Sequence, residues 1–243
     1  KDDTLFILEA NPRASRTMPF VSKVTGNQII KAGTLLMLGH SLDSIKKTTN
    51  YLNSSTNKVA IKKAIFPWSR FPAEDTMLGP EMKATGEVLG IGRSFGVALN
   101  KAYAAAGVEI NENEKGIFVS LSDQEKPNFI KIVKTYSDLG FKIYSTYGTG
   151  EYLKNNEINS TIVGRADETF PTSLTILQDK LISLVINTPT FANEYTDGWK
   201  IRRLSHETGV AVVSSVREAE AFLKAFLETT KSFEDMEAIQ NVS

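Results

Sequence analysis

From Gly116 onward, short apolar runs alternate with amphipathic stretches, and no other feature limits the possible folds as strongly. Gly116–Leu121, Phe141–Ser145, Thr161–Val163, Leu181–Ile186 and Val210–Ser214 read as strands, and residues 126–139, 150–156, 172–179, 197–207 and 217–227 as the helices that follow them. The fourth and fifth runs are apolar almost throughout, as strands are when both faces are covered. The pattern predicts an α/β fold, a five-stranded parallel sheet with helices on both faces.

The first half is organised differently. An alanine-rich helical stretch, Phe95–Ala106, is followed by the polar Asn111-Glu-Asn-Glu-Lys-Gly116, and the boundary is expected at 108–115, dividing the chain into 1–110 and 111–243. Charge shifts at the same place: 14 basic against 9 acidic residues up to Ile110, then 14 against 19. The halves cancel, and a net charge of zero gives no bulk attraction to nucleic acid or an anionic membrane. The absence of cysteine excludes a disulfide framework, a thiol nucleophile and a cysteine-ligated zinc, and is consistent with a cytoplasmic protein. Only His40 and His206 are present, too few for a multi-histidine metal site. The apolar runs fall short of the roughly 20 residues a membrane span needs. Thr4–Asn11 already reads as a strand, so the chain is expected to begin inside a fold, as a piece of a larger protein.

In parallel sheets, ligands sit beyond the carboxyl ends of the strands. The residues at those ends are Ser120 and Ser122, Thr146 to Thr149, Gly164 and Arg165, Asn187 and Thr188, and Ser214 and Ser215. Thr146-Tyr-Gly-Thr149 at a strand-to-helix turn offers hydroxyls, accessible N–H groups and a helix N-terminus, which together suit a phosphate, and Arg165 supplies a planar countercharge. No His, Cys or Glu stands there, and Asp167 and Asp197 lie in loops, so the site reads as one that binds rather than reacts. In the first half, two-residue alternation puts Glu9 and Asn11 on one face, a carboxylate and an amide oxygen suited to Mg²⁺, with Arg13 and Arg16 suited to phosphate oxygens. His40 and His206 are expected to be solvent-exposed or capping, Trp68 and Trp199 to be packing anchors, and the acidic 234–237 to be a solvated tail.

Three strings carry a family resemblance. Glu9-Ala-Asn-Pro-Arg-Ala-Ser-Arg-Thr-Met-Pro-Phe-Val-Ser-Lys-Val-Thr-Gly26 closely resembles the end of an ATP-grasp module in the carbamoyl phosphate synthetase large chain. Phe66-Pro-Trp-Ser-Arg-Phe-Pro72 and Leu78-Gly-Pro-Glu-Met-Lys-Ala-Thr-Gly-Glu-Val-Leu-Gly-Ile-Gly92 are similar to that family's next strings. The domain with the Thr146–Thr149 turn looks like the family's C-terminal regulatory domain, which shares its fold with methylglyoxal synthase. The resemblance covers nearly the whole chain, in family order.

It implies that 1–110 is an α+β remnant of the ATP-grasp domain and 111–243 an allosteric effector-binding domain. Glu9 and Asn11 match metal ligands (Mg²⁺ or Mn²⁺, used with ATP in the full-length enzyme), and Arg13 and Arg16 match catalytic, phosphate-side residues. Ser120, Lys126, Thr146, Tyr147, Thr149, Arg165, Asn187, Thr188 and Asp197 form the expected effector pocket. Some relatives carry lysine at the position of Arg165 and a second threonine at that of Pro189. The implied effector is a nucleoside monophosphate or an acylated amino acid. The implied partner is a glutaminase chain supplying ammonia for pyrimidine and arginine precursors, and homo-oligomerisation stays open. No bound cofactor and no synthetase activity are expected of this chain alone. Two rival readings are a methylglyoxal-synthase-type lyase, with Asp167 as its candidate base, and a non-catalytic interaction module.

Overall fold

The computed structural model describes residues 4–7, 9–50, 57–71, 76, 86–108, 116–165, 168, 171–188 and 196–229. These fall into two compact units that divide between Asn57 and Lys58. The boundary expected at 108–115 lies largely outside the described residues, as does the acidic tail.

The first unit holds three short helices, α1 (Thr17–Thr25), α2 (Ile29–Met37) and α3 (Leu42–Thr48). Gly26 ends α1 at φ 69°, a left-handed conformation that glycine adopts without penalty, and the Ser41 side chain caps α3 by accepting the Ser44 N–H at 3.3 Å. Ala32 and Ile45 are buried, whereas Met37 and Leu38 are exposed. The strand expected at Thr4–Asn11 is corrected: its described residues are not β-structure, and Leu5 is 91% exposed. Alternation fixes which side chains share a face, but a strand also needs a neighbouring strand to take its N–H and C=O groups, and among the described residues no strand forms a ladder with this segment.

The second unit begins with an antiparallel pair, β1 (Val59–Ile65) and β2 (Gly86–Gly92), in register from Val59 opposite Gly92 to Ile65 opposite Gly86. Helix α4 (Phe95–Ala105) lies on this pair so closely that a Cβ on Gly90 would stand 2.0 Å from the Ala98 carbonyl oxygen. There follow β3 (Gly116–Ser120), α5 (Lys126–Asp138), β4 (Lys142–Ser145), α6 (Tyr147–Asn155), β5 (Thr161–Ile162), α7 (Ser173–Gln178), β6 (Leu184–Asn187), α8 (Asp197–Thr208), β7 (Ala211–Val213) and α9 (Val216–Thr229). All five strands from β3 onward are parallel, in the order β5-β4-β3-β6-β7. The expected parallel sheet is present, preceded by a small antiparallel sheet with helices.

The two-residue period divides the core. Ile117, Val119, Ile143, Leu184, Ile186 and Val213 meet Phe129, Ile132 and Val133 of α5, Leu153 of α6 and Phe222 of α9 on one face. Phe118, Tyr144 and Val185 meet Ile176 and Leu177 of α7 and Ile201 of α8 on the other. At about 25 cal/mol per Å² of apolar area, burying side chains on both faces is the main stabilising term. Tyr103 of α4 joins the first cluster, 4.6 Å edge-on from the Phe222 ring, which ties the antiparallel pair to the parallel sheet.

Candidate functional site

The chain runs from β3 outward to β4 and β5, then returns to the opposite side of β3 to place β6 and β7. The reversal opens a crevice between the carboxyl ends of β3 and β6, where doubly wound sheets bind ligands. Ser120 ends β3 and Asn187 ends β6, and the two are register partners.

Hydroxyls stitch this edge together. The Thr149 Oγ1 accepts the Leu121 N–H at 3.0 Å and the Thr146 hydroxyl at 3.2 Å, and the Thr188 Oγ1 accepts the Ser122 N–H at 2.8 Å. Both N–H groups just past β3 are therefore satisfied by threonines from neighbouring elements. Thr149 is only 1% exposed, so its hydroxyl supports the loop from beneath. Asn187 is also buried, its Nδ2 donating to the Ser120 carbonyl at 3.4 Å and its Oδ1 accepting from Arg202 at 2.6 Å.

The mouth is more open. Thr146 is the N-cap of α6 and makes no capping bond, unlike Ser94, Thr172 and Thr196 at the starts of α4, α7 and α8. Tyr147 opens α6 and is 70% exposed. The Lys126 ammonium reaches from α5 to the Gly148 carbonyl at 2.8 Å and to Asp123 at 2.6 Å. Arg165, 73% exposed past β5, sits 3.9 Å from the Asp197 carboxylate, which is also 3.9 Å from Lys200. Such long, exposed pairs are worth at most about 1 kcal/mol, so an incoming anion can replace them at little cost. Ser214 and Ser215, past β7, are used otherwise: Glu218 accepts the Ser214 N–H and the Ser215 hydroxyl accepts the Glu218 N–H, which starts α9.

The structure thus gathers Ser120, Lys126, Thr146, Tyr147, Thr149, Arg165, Asn187, Thr188 and Asp197 at the carboxyl edge of one sheet or on the helices that begin there. Asp167 and Pro189 lie outside the described residues. Arg202 was not legible in the sequence, because a charged residue in a helix ordinarily reads as solvated. Its signal is Gly198, one helical turn before it: a Cβ there would stand 3.1 Å from the Arg202 NH1.

His206 corrects a second expectation. It is half-buried with its ring 5.8 Å from that of Trp68, and burial, with Lys63, Arg203 and Arg202 nearby, lowers its pKa to about 4. Trp68 is itself half-buried and stacks on Phe66 at 5.0 Å, as a packing anchor should.

Glu9, Asn11, Arg13 and Arg16 belong to the other unit, and all four are exposed. Glu9 and Asn11 do share a face, but the Asn11 Nδ2 donates to the Glu9 Oε1 at 2.9 Å. A cation needs the amide oxygen turned inward, and Mg²⁺ takes six oxygens where this pair offers three at most. As placed, they do not form a cation site by themselves. Among the described residues there is no cluster of three or more His, Asp or Glu residues suited to a metal, and no helix is long and apolar enough to cross a membrane.

The MGS-like domain family matches residues 128–214, from α5 through β7, so the parallel sheet with its hydroxyl-lined edge is a domain of that class. The match to known proteins extends well beyond it. The chain is 38% identical to the carbamoyl phosphate synthase large chain of Nostoc sp. over 236 residues, covering 97% of this chain and 21% of that protein. It is 36% identical to the large chain's C-terminal section from Aquifex aeolicus (97% of this chain, 46% of that protein) and 36% identical to that from Methanocaldococcus jannaschii (96% and 39%). The chain is a homologue of the C-terminal section of carbamoyl phosphate synthase large chains and spans less than half the length of these relatives.

Proposed function

We propose that the parallel-sheet domain binds a small anionic effector and that the chain is the regulatory portion of a glutamine-dependent, ATP-driven carbamoyl phosphate synthase. The uncapped start of α6 carries this reading. Its first-turn N–H groups lack a side-chain cap, on a nine-residue helix that opens beside Lys126 and the Thr146 hydroxyl. The helix dipole and those N–H groups favour an anion, and Arg165 adds charge-assisted bonds by exchanging Asp197 for the ligand. The buried Thr149, Thr188 and Asn187 shape the floor on which the ligand rests. A phosphate and a carboxylate share the chemistry this edge selects, so a nucleoside monophosphate and an acylated amino acid are both fitting effectors.

Glu9 and Asn11, with Arg13 and Arg16, are proposed as part of a metal–nucleotide site whose remaining ligands come from elsewhere in a longer chain. Ammonia would come from a glutaminase partner, and the chain by itself would make no carbamoyl phosphate.

A thermal-shift screen against nucleoside monophosphates, ornithine, arginine and N-acetylglutamate tests this. At least one anion is expected to raise the melting temperature, by the equivalent of about 2.7 kcal/mol at a hundredfold excess over its Kd. The shift should fall to less than half in Arg165→Ala at the same ligand concentration. No shift with any compound would overturn the effector reading, and turnover of bicarbonate, ammonia and ATP would overturn the predicted inactivity.

A further inference from the structure

Helix α8 carries two arginines in succession whose guanidinium groups are held at different places. Arg202 is 4% exposed and donates to the Asn187 Oδ1 at 2.6 Å, on the floor of the crevice. Arg203 is 8% exposed and donates through NH1 to the Phe71 carbonyl at 2.7 Å, beyond the three-residue 3₁₀ turn Trp68–Arg70. One turn further along α8, His206 faces Trp68 of that same turn. At its other end α8 begins with Asp197, the partner of Arg165 at the mouth.

We propose that α8 couples the crevice to the Phe66–Phe71 segment, with Arg202 sensing the crevice floor and Arg203 and His206 holding the segment. For its trigger this rests on the reading of the crevice as an anion site; the link through the helix stands apart from that reading. An anion drawn to the crevice competes with the Asn187 oxygen for the Arg202 guanidinium and with Asp197 for Arg165. Gly198 leaves no slack: a Cβ there would lie 3.1 Å from the Arg202 NH1 and 3.4 Å from the Asn187 Oδ1, so the first turn of α8 sits directly on this pair. A helix moves as a body more readily than it bends. Adjustment at Arg202 therefore shifts Arg203, and the Phe71 carbonyl has to follow or lose a charge-assisted bond. The coupling is a physical one, through an element that both ends bias.

Trp68 reports on the segment, and Trp199→Phe leaves it as the only tryptophan. In that background two measurements are made: Trp68 emission, and amide exchange at Arg70 and Phe71, whose N–H groups donate to the Pro67 and Trp68 carbonyls at 2.9 and 3.0 Å. The first arm needs no ligand. Asn187→Ala removes the side-chain oxygen that accepts from Arg202 at 2.6 Å without touching the segment, and Asn187→Ser is run beside it so that a folding defect in one does not end the test. Exchange at Arg70 and Phe71 should rise at least threefold and the Trp68 emission should shift, with the α5 amides unchanged. The second arm titrates orthophosphate, uridine monophosphate and inosine monophosphate, reading thermal stability and Trp68 emission together. A probe that stabilises the chain should change Trp68 emission with the same midpoint, and Arg203→Lys should weaken that response.

Unchanged exchange and emission in both Asn187 variants would overturn the proposal. So would a probe that stabilises the chain and leaves Trp68 silent. If the variants respond and none of the three probes binds, the coupling is upheld and the phosphate form of the effector reading is overturned.

Discussion

The Thr149 hydroxyl accepts the Leu121 N–H at 3.0 Å across 28 residues of sequence, pinning the start of α6 to the loop that leaves β3. Threonine is needed here for the fold before it is needed for a ligand. Thr149→Val keeps the shape but leaves a buried N–H without an acceptor, at a cost of about 1–3 kcal/mol of stability. Thr149→Ser restores the oxygen and should recover most of it. Urea denaturation of the three proteins checks this; equal midpoints for Val and wild type would show that the hydrogen bond is replaced by water.

A second tie holds α4 to α9. The Glu228 Oε2 accepts the Gly96 N–H at 2.6 Å, in the first turn of α4. That bond, with Ser94 and Lys224 nearby, holds the Glu228 carboxyl below its ordinary range. A depressed carboxylate stabilises the fold above its unfolded pKa, near pH 4.3, and the contribution is lost as pH falls through the folded value. Glu228→Gln should therefore be less stable than wild type at pH 7, and the gap should close as pH falls below the ordinary carboxylate range. As a helix cap the carboxylate is worth about 1 kcal/mol. Chemical denaturation in both pH regimes tests it, and a gap that persists at low pH would assign the loss to packing instead.

How much of this was legible in the sequence depends on which physical constraint wrote it. Strands β3, β4, β6 and β7 were readable because residues buried on both faces leave a nearly continuous apolar run, whereas both residues of β5 are exposed and it was readable only from its place in the alternation. Helix α6 was placed three residues late. Tyr147-Gly-Thr-Gly150 has turn composition, yet Thr146 takes extended geometry as N-cap and the helix starts at once. Thr149 was readable as part of the site but not as facing inward, since spacing does not say which partner an hydroxyl finds. The segment around Glu9 shows the opposite failure: alternation put Glu9 and Asn11 side by side correctly, but could not supply the neighbour that makes a strand. His206 and Arg202 were hidden for one reason. Both sit in a helix rich in charge, and what they pack against, the end of β6 for Arg202 and Trp68 for His206, is set by the tertiary fold and leaves no mark in the helix's own pattern.

Gly150 and Gly148, two residues apart in α6, should respond in opposite ways to alanine. A Cβ on Gly150 would stand 2.7 Å from the Ser145 Oγ and 2.8 Å from the Ile162 Cγ1, both at the edge of the sheet. The Ser145 hydroxyl is fixed by Ser160 at 2.8 Å, so relief would have to come from a shift of the helix. Gly150→Ala should cost about 1–3 kcal/mol, as overpacking does. A Cβ on Gly148 would meet only the Lys126 Nζ, at 3.8 Å, and alanine is the better helix former by up to about 1 kcal/mol. Gly148→Ala should be neutral to stabilising. Thermal unfolding of both decides it; equal destabilisation would mean that α6 needs glycine for its backbone and not for its close approach.

Arg165 separates binding from folding. It is exposed, and its ion pair to Asp197 is long, so Arg165→Ala should leave the unfolding midpoint of the ligand-free chain within about 0.5 kcal/mol of wild type. Affinity for an anionic effector should fall by about 1.5–3 kcal/mol, the range for a charge-assisted hydrogen bond. Calorimetry with the effector found in the screen measures the second number. Affinity that ignores the substitution would place the anion away from β5, on the β6 side of the crevice.

The imidazole of His206 provides the clearest dependence on pH. Its pKa is lowered to about 4 by burial first, and then by Lys63 on β1 and by Arg203 and Arg202 on its own helix, which oppose a fourth positive charge. Above its unfolded pKa of about 6.5, both folded and unfolded chains carry it neutral and it adds no slope. As pH falls from about 6.5, the unfolded chain takes up a proton that the folded chain refuses, so stability declines continuously until the folded group titrates near 4. The full loss is on the order of 3 kcal/mol. Two measurements should agree: an NMR titration of the His206 ring with a midpoint near 4, and a denaturation series between pH 7 and 4 that is steeper for wild type than for His206→Gln. A ring that titrates near 6.5 would place it in water and release Trp68 from its contact.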